Sequence, residues 1–142
     1  MFFNNTFDKN LNILQRGMDV SVLRYQVTAN NISNVDTPNF KRSVVNFESE
    51  LNRVLDLEKS KPPFDGALTY DRSQSIYKPK NYNEVKPKVV LDYLTTVFNN
   101  GNNVDIDEEV MTATNTQLLY QAMLTSANGM FQRMNIALSM RA

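Results

Sequence analysis

Four acidic residues stand together where the sequence could most readily hold a cation. They follow an Asn-Gly loop, and carboxylates beside a glycine turn are typical of calcium sites. The spacing excludes an EF-hand loop, because a loop with Gly101 at its sixth position starts at Thr96 and has Phe98 at its third. The cluster instead predicts the capped, acidic first turn of a helix. Its members are Asp105, Asp107, Glu108 and Glu109.

The residues on which most enzymes and metal sites depend are missing from the sequence. Its 142 residues include no cysteine and no histidine, which removes the usual zinc, haem and iron–sulfur ligands and the histidine-dependent nucleophilic pairs. Paired carboxylates of the glycosidase type remain compatible with the composition, but no segment supplies aromatic subsites or a clearly buried acid. We therefore expect no catalytic residue, no metal ligand and no cofactor.

Formal charge is balanced over the whole chain but unevenly placed along it. Lysine and arginine number 15, as do aspartate and glutamate, which gives no global attraction to nucleic acid. The segment from Lys41 to Asp92 carries 18 of the 30 charges, whereas residues 110–132 carry none. That uncharged stretch is rich in Thr, Ser, Asn and Gln and is too polar to span a membrane. Residues 1–10 lack the pattern of a cleaved signal peptide.

Two segments, one near each end, have the apolar spacing of long helices. In the first, Thr6 can serve as the N-cap, and Thr37-Pro38 ends the segment because proline disfavours helical geometry at the residue before it. In the second, the interval between successive stripe positions alternates strictly between four and three residues, which is the spacing of a coiled coil, and Asp105 or Asp107 can serve as the N-cap. The first stripe is Phe7, Leu11, Leu14, Met18, Val22, Tyr25, Ala29 and Ile32; the second is Ile106, Val110, Ala113, Gln117, Tyr120, Leu124, Ala127, Phe131, Met134 and Leu138.

The middle of the chain predicts shorter elements. Residues 47–57 suit a short amphipathic helix that ends before Lys61-Pro62-Pro63. Residues 67–77 and 88–98 are enriched in β-branched and aromatic side chains and could form a small β-hairpin. The expected organisation is an N-terminal helix within residues 1–36, a middle region of residues 37–104, and a C-terminal helix within residues 105–142.

The uncharged C-terminal helix predicts assembly. A solvated helix places Lys and Glu on its outer face, whereas this one offers hydroxyl and amide side chains there, which can be buried when they form hydrogen bonds. A monomer of this size has too little other protein to enclose the helix. The enclosing surface is therefore expected to belong to copies or relatives of the chain. The assembly stripe is Leu14, Met18, Val22, Tyr25, Val110, Ala113, Tyr120, Leu124, Ala127, Phe131, Met134 and Leu138.

Both ends of the chain resemble the bacterial flagellar axial proteins of the rod and hook class. In that family a run similar to ANNxANxxTPGYK ends the N-terminal helix, and a short total length is typical of its proximal-rod members rather than of the hook protein. The matching runs here are Ala29-Asn30-Asn31-Ile32-Ser33-Asn34-Val35-Asp36-Thr37-Pro38-Asn39-Phe40-Lys41-Arg42, Asn103-Val104-Asp105-Ile106-Asp107-Glu108-Glu109 and Leu118-Leu119-Tyr120-Gln121.

The resemblance implies a structural subunit of the flagellar basal-body rod. It implies a mainly α fold whose N- and C-terminal helices pair as an antiparallel coiled-coil layer, with a small irregular middle region. The implied partners are other copies, other rod proteins, the base adaptor and membrane ring of the basal body, and the flagellar type III export gate. Neither nucleic acid nor a membrane-spanning segment is implied. The implied location is the rod crossing the periplasm, reached without a cleaved signal peptide.

The resemblance also marks two groups of residues. The family signature turn is Ala29, Asn30, Asn34, Thr37, Pro38, Asn39 and Phe40. It departs from the family at Asn39, where glycine is usual; asparagine tolerates left-handed geometry, so the turn should persist. An export-gate motif, Phe followed four residues later by an aliphatic residue, fits Phe7 and Leu11, which also begin the apolar stripe of the first helix.

Two functions of other classes remain open from the residues alone. A soluble helical adaptor or export chaperone could use the same apolar stripe to bind a client helix, and it would behave as a cooperatively folded, protease-resistant monomer. A carboxylate enzyme would require a folded pocket and substrate turnover. A rod subunit is expected instead to have protease-sensitive termini until assembly orders them. An apolar stripe without a partner buries too little surface to offset the conformational entropy that the terminal segment loses when it becomes ordered.

Overall fold

The computed structural model describes residues 6–59, 82–93, 95 and 99–140. The chain divides into two compact units, one within Met1–Val45 and Val89–Ala142 and the other within Asn46–Lys88. The first unit contains two long helices that lie against each other, and the second contains the short helical elements of the middle region. The mainly α fold expected from the sequence is therefore confirmed.

Helix α1 covers Thr6–Ser33. Thr6 is its first helical residue rather than the cap that the sequence predicts. Its C-terminal end tightens into three-residue turns, in which the amide of Asn34 donates to the carbonyl of Asn31 at 3.1 Å and that of Thr37 to Asn34 at 3.0 Å. Pro38 then follows, and because it has no amide hydrogen to donate, the helical pattern stops at the predicted place.

The signature turn has the left-handed residue that its sequence predicts. Asn39 has a φ of 60°, so asparagine here takes the conformation that glycine would take in the family pattern. Its amide donates to the carbonyl of Asn100 at 3.0 Å. Gly101, with a φ of 81°, turns the facing loop at the same place. The two turns that carry positive φ therefore lie side by side.

Helix α3 covers Ile106–Ser139. Of the two predicted caps, Asp105 and Asp107, the N-cap is Asp105. Its side chain accepts from the amides of Asp107 and Glu108 at 2.9 Å and 3.4 Å. The rings of Phe7 and Phe131 meet edge to face with centroids 6.4 Å apart, and Asn31 lies beside Glu109. The start of α1 thus meets the end of α3, so the two long helices are antiparallel.

A two-stranded sheet joins β1, Ser43–Asn46, to β2, Lys88–Leu91. The amide of Asp92 donates to the carbonyl of Arg42 at 2.9 Å just beyond the strands, which fits an antiparallel register. Strand β2 falls within the predicted strand 88–98, but its partner is the segment after the signature turn. The other predicted strand, residues 67–77, lies outside the described residues.

The second unit is built around α2, Glu48–Lys59, which begins one residue later than predicted and ends two residues later. A short 3-10 helix, Tyr82–Glu84, belongs to the same unit. Its buried apolar side chains are Phe47, Leu51, Val54 and Val85. This small core follows the amphipathic spacing predicted for the segment.

In the part of the chain that the structure describes, no helix combines the length and apolar character needed to cross a bilayer.

Candidate assembly surface and polar cluster

The residues of α3 that face α1 follow one another at intervals of four and three residues. Glu109, Thr116 and Ala127 are buried on it, and most of the others are half-buried. We call this the inner face of α3. It comprises Glu109, Ala113, Thr116, Tyr120, Met123, Ala127, Met130 and Met134. The first half of this face has no methionine, whereas three of the four members of its second half are methionines, so flexible side chains separate the helices mainly toward the end of α3.

A second line of α3 positions lies beside the inner face at intervals of seven and is exposed. We call it the outer face of α3; it comprises Val110, Gln117, Leu124, Phe131 and Leu138. Its apolar members are 40% to 62% exposed. The predicted C-terminal stripe therefore divides in two: Ala113, Tyr120, Ala127 and Met134 belong to the inner face, and the remaining stripe residues from Val110 onward form the outer face.

The stripe predicted on α1 is displaced by about one residue from the line that α1 buries. Its members Leu14 and Met18 are half-buried, while Val22 and Tyr25 are 47% and 53% exposed. The buried residues of α1 are Val20, Ser21, Thr28 and Asn31. Small polar side chains thus form much of the contact between the helices, and several larger apolar side chains are left facing outward.

Two open recesses lie along the pair of long helices. One, of about 360 Å³, is lined by Val22 and Tyr25 of α1 and by Gln117 and Tyr120 of α3, among others. The other, of about 930 Å³, lies between the first turns of α1 and the last turns of α3 and is lined by residues that include Phe7, Leu14, Met130 and Met134. Both recesses are mainly apolar, so they continue the exposed apolar surface.

At the other end of the helix pair, five polar side chains link α3 and the loop before it to the end of α1 and to β1, and we call them the polar cluster: Asn31, Arg42, Asn102, Asn103 and Glu109. The carboxamide of Asn31 joins three elements. Its Nδ2 donates to Oε2 of Glu109 at 3.1 Å and to the carbonyl of Ser43 at 2.9 Å, while its Oδ1 accepts from the amide of Ser43 at 3.0 Å. One asparagine therefore links α1, β1 and α3.

Glu109 is the largest fully buried side chain of the described residues, with 1% of its surface exposed. A buried carboxylate requires a cationic or hydrogen-bonding partner. Nη2 of Arg42 supplies one, 3.0 Å from Oε1 of Glu109, and Asn31 supplies the other. The same guanidinium donates from Nη1 to Oε1 of Glu108 at 2.8 Å, on the exposed side of the helix.

The surroundings of Arg42 keep its side chain charged. Burial by itself lowers the pKa of the guanidinium, but the hydrogen bond to Glu108 and the charges of the neighbouring carboxylates, Glu109 foremost, outweigh burial and raise the pKa above its ordinary value. Arg42 therefore carries its positive charge at every pH at which a protein is handled.

Asn102 ties the loop before α3 to the signature turn. Its Nδ2 lies within hydrogen-bond distance of three carbonyl oxygens, those of Asn34 at 3.0 Å, Val35 at 2.8 Å and Thr37 at 2.9 Å. Its Oδ1 accepts from the amide of Val104 at 2.7 Å. Three carbonyls of the turn that follows α1 thus lie against a side chain 65 to 68 residues away in the sequence.

Asn103 ties the loop before α3 to the two-stranded sheet. Its Oδ1 accepts from the amide of Arg42 at 2.7 Å, and its Nδ2 donates to the carbonyl of Asp92 at 2.8 Å and to Oγ1 of Thr95 at 2.9 Å. The side chain lies between the segments that lead into β1 and out of β2. The sequence predicts this loop only as a turn, whereas two of its asparagine side chains act as connectors.

The residues of the predicted signature turn lie on the exposed side of this arrangement. Nδ2 of Asn34 donates to the carbonyl and Oδ1 of Asn30 at 2.8 Å and 3.0 Å, and Oγ1 of Thr37 donates to Oδ1 of Asn34 at 3.4 Å. Ala29 and Pro38 are exposed and Phe40 is half-buried. The sequence signal that could have revealed the polar cluster is the asparagine content, about one residue in eight and well above average usage.

The candidate export-gate residues lie in the first turns of α1. Phe7 contacts Phe131 as described, and Leu11 is half-buried. In the folded chain the two residues therefore belong to the helix pair.

Comparison with known proteins identifies the family. A flagellar basal body rod protein from Borreliella burgdorferi, FlgB, is 41% identical over 134 residues, which cover 94% of this chain and 98% of that protein. FlgB of Borrelia hermsii is 39% identical over 94% of this chain and 98% of that protein. FlgB of Bacillus subtilis is 27% identical over 94% of this chain and 95% of that protein. The chain belongs to the FlgB family of flagellar basal body rod proteins.

A sequence profile described as flagella basal body rod protein matches residues 11–41. That match covers the greater part of α1 and the signature turn, including Asn31 of the polar cluster. FlgB proteins form a structural, non-enzymatic family, in agreement with the expectation that the chain has no catalytic residue. The resemblance seen at both ends of the sequence is therefore confirmed along nearly the whole chain.

Proposed function

We propose that the chain is a structural subunit of the proximal rod of the flagellar basal body, which assembles helically through α1 and α3. The observation that carries this proposal is the outer face of α3. Its positions recur every seven residues and all are apolar except Gln117. They run through a stretch of 23 residues without a single formal charge and continue beyond it. Burial of such a surface is favourable at roughly 25 cal/mol per Å².

The spacing of the outer face supports a helical partner. Intervals of seven keep apolar positions on one side of an α-helix over several turns, as in coiled coils. The adjoining recess beside Val22 and Tyr25 gives a neighbouring helix room to lie against both α1 and α3. Hydroxyl and amide groups fill much of the remaining surface of α3, which allows burial on further sides at lower cost than charges would.

Leu124→Glu tests the assembly proposal, because it places a charge in the centre of the outer face. Leu124 is 44% exposed in the free chain, so the variant should fold normally but be absent from isolated basal bodies. Asn115→Glu is the matched control, since it adds the same charge on the opposite side of the same helix. Incorporation of Leu124→Glu into basal bodies at the wild-type level would contradict the proposal. An equal loss of incorporation for Leu124→Glu and Asn115→Glu would contradict it as well.

We further propose that the type III export apparatus recognises Phe7 and Leu11 before α1 forms. The two side chains are accessible in an unfolded N-terminus and take part in the helix pair only afterwards. Phe7→Ala is expected to reduce secretion of the chain into the medium. Phe131→Ala is the matched control, because it removes the same ring contact from the folded protein and leaves the N-terminal motif intact.

The two variants separate recognition from folding. Reduced secretion of Phe7→Ala together with normal secretion of Phe131→Ala supports the gate motif. Equal secretion of both, with a loss of assembly alone, would assign Phe7 to packing only.

The proposed location is the rod as it crosses the periplasm, reached without a cleaved signal peptide. The proposed partners are other copies, other rod proteins, the base adaptor and the membrane ring. An in situ density map of the basal body tests this placement, with density for α1 and α3 expected at the base of the rod. A cooperatively folded monomer that is absent from basal bodies and bound to a client helix would instead identify an adaptor or export chaperone.

A further inference from the structure

Two Asn-Gly steps occur in the described chain, and the structure places them in opposite surroundings. Asn100-Gly101 lies in the loop before α3, outside any helix or strand, with Asn100 exposed and Gly101 half-buried. Asn128-Gly129 lies inside α3. The local chemistry of the two steps is the same, because in both a glycine without a side chain follows the carboxamide. Any difference in their reactivity therefore comes from the fold.

The carboxamide of Asn100 is held against the backbone that follows it. Its Oδ1 accepts a hydrogen bond from the amide of Asn102 at 3.0 Å. A bond from a side chain to the amide two residues later folds that side chain back over the intervening peptide, here the peptide whose nitrogen belongs to Gly101. The donor also points at the oxygen on which negative charge would develop if Cγ were attacked, which is the arrangement that stabilises an oxyanion.

We propose that Asn100 is a site of spontaneous deamidation through a cyclic imide and that Asn128 is protected from the same reaction. The amide nitrogen of Gly101 loses its proton to solvent and attacks Cγ of Asn100, forming a C–N bond. The bond between Cγ and Nδ2 then breaks, and Nδ2 leaves as ammonia after taking up a proton. Water opens the five-membered imide, at Cγ to give aspartate or at the main-chain carbonyl to give isoaspartate.

Asn128 lacks the freedom that this reaction needs. It is in the interior of α3, where the amide of Gly129 lies within the ladder of main-chain hydrogen bonds and ψ is held near −42°. Attack on its own Cγ would require that turn of the helix to unwind. The side chain of Asn128 is itself exposed, so access of water does not distinguish the two sites.

The isoaspartate product would disconnect the loop from the signature turn. The carbonyl of Asn100 that accepts from the amide of Asn39 at 3.0 Å would leave the main chain as a carboxylate, and the main chain would gain a methylene group. The two turns are close together there, since a methyl group placed on Gly101 would lie 2.6 Å from Oδ1 of Asn39 and 3.7 Å from its Cα. Conversion at Asn100 thus removes one of the connections that hold α3 to the end of α1.

The test follows both sites in one sample of the full chain, incubated in warm, mildly alkaline buffer with and without denaturant. Trypsin and a glutamate-specific protease separate the two sites, because Glu108 and Glu109 lie between them. Mass spectrometry measures replacement of amide by acid, and electron-transfer fragmentation distinguishes isoaspartate from aspartate. In native buffer Asn100 is expected to convert at least about tenfold faster than Asn128, a difference of about 1.4 kcal/mol in activation free energy.

Denaturant supplies the control for sequence effects, since the two rates should become similar once α3 unfolds. Equal rates in native buffer would overturn the proposal, and so would a tenfold difference that persists in denaturant. Asn100→Ser provides the matched variant, because its hydroxyl can still accept from the amide of Asn102 but forms no imide. After incubation the wild-type chain should melt at a lower temperature than before, whereas Asn100→Ser should be unchanged; identical behaviour would refute the structural consequence.

Discussion

A single carboxamide, that of Asn102, approaches three main-chain carbonyl oxygens at the end of α1 and accepts from the amide of Val104. No other residue type matches this combination, because the donor must be a planar NH₂ group and the acceptor must lie on the same short side chain. Asparagine at this position therefore has a specific structural role beyond its tolerance of turns.

Asn102→Ala is expected to lower the free energy of unfolding by about 3 kcal/mol, because several buried or part-buried hydrogen bonds of about 1 kcal/mol each are lost, among them those to the carbonyl of Val35 and from the amide of Val104. Denaturant unfolding followed by circular dichroism measures the change. Asn128→Ala, at an exposed position of α3, should change the same quantity by less than about 0.5 kcal/mol. A similar small effect at Asn102 would show that water replaces its contacts.

The two carboxylates that meet Arg42 should differ in their energetic weight. The side chain of Glu109 is 2% exposed and that of Glu108 is 50% exposed. Glu109→Ala should cost about 3 kcal/mol of unfolding free energy, because it leaves a half-buried cation with one partner fewer. Glu108→Ala should cost less than about 1 kcal/mol, as is usual for solvent-screened pairs. Comparable losses in urea unfolding would mean that the buried pair has no special weight.

Among the elements, the helices could be predicted from sequence more fully than their contacts. Apolar periodicity, Pro38 and Asp105 define α1 and α3 to within a residue or two, because these signals act locally. The face of α1 that packs against α3 could not be predicted. A shift of one residue along α1 replaces large apolar side chains in the contact by Gly17, Ser21 and Thr28, and only the surface of α3 decides which of the two faces is buried. The pairing of β1 with β2 depends likewise on the distant side chain of Asn103.

Two helical glycines allow the closeness of α1 and α3 to be measured. A methyl group on Gly17 would lie 2.7 Å from Sδ of Met123, whereas one on Gly129 would have nothing within 4 Å. Gly129→Ala should stabilise the protein by about 1 kcal/mol through helix propensity. Gly17→Ala gains the same propensity but should lose about 2 kcal/mol through overpacking, for a net loss of about 1 kcal/mol. Equal thermal stabilisation by both would indicate that Met123 moves aside freely.

Within the unit that contains α1 and α3, local stability should decrease along α3 from its N-terminal end to its C-terminal end. The polar cluster holds one end of the pair, while every side chain from Phe131 to Met140 is exposed. Amide hydrogen exchange followed by mass spectrometry should therefore be slow in residues 106–116 and fast in residues 131–139 of the free chain. The difference should vanish on assembly. Uniform exchange along α3 in the free chain would contradict this gradient.

The hydrogen bond between Asn31 and Glu109 joins residues 78 positions apart in the chain. Contacts of such high sequence separation form late, because the entropy of closing the intervening loop must be met before they contribute. A chain delivered N-terminus first, by a ribosome or through a narrow conduit, holds α1 without its partner until the segment from Asn102 to Glu109 has emerged. The position of this segment in the sequence thus sets the earliest moment at which the two ends of the molecule can recognise each other.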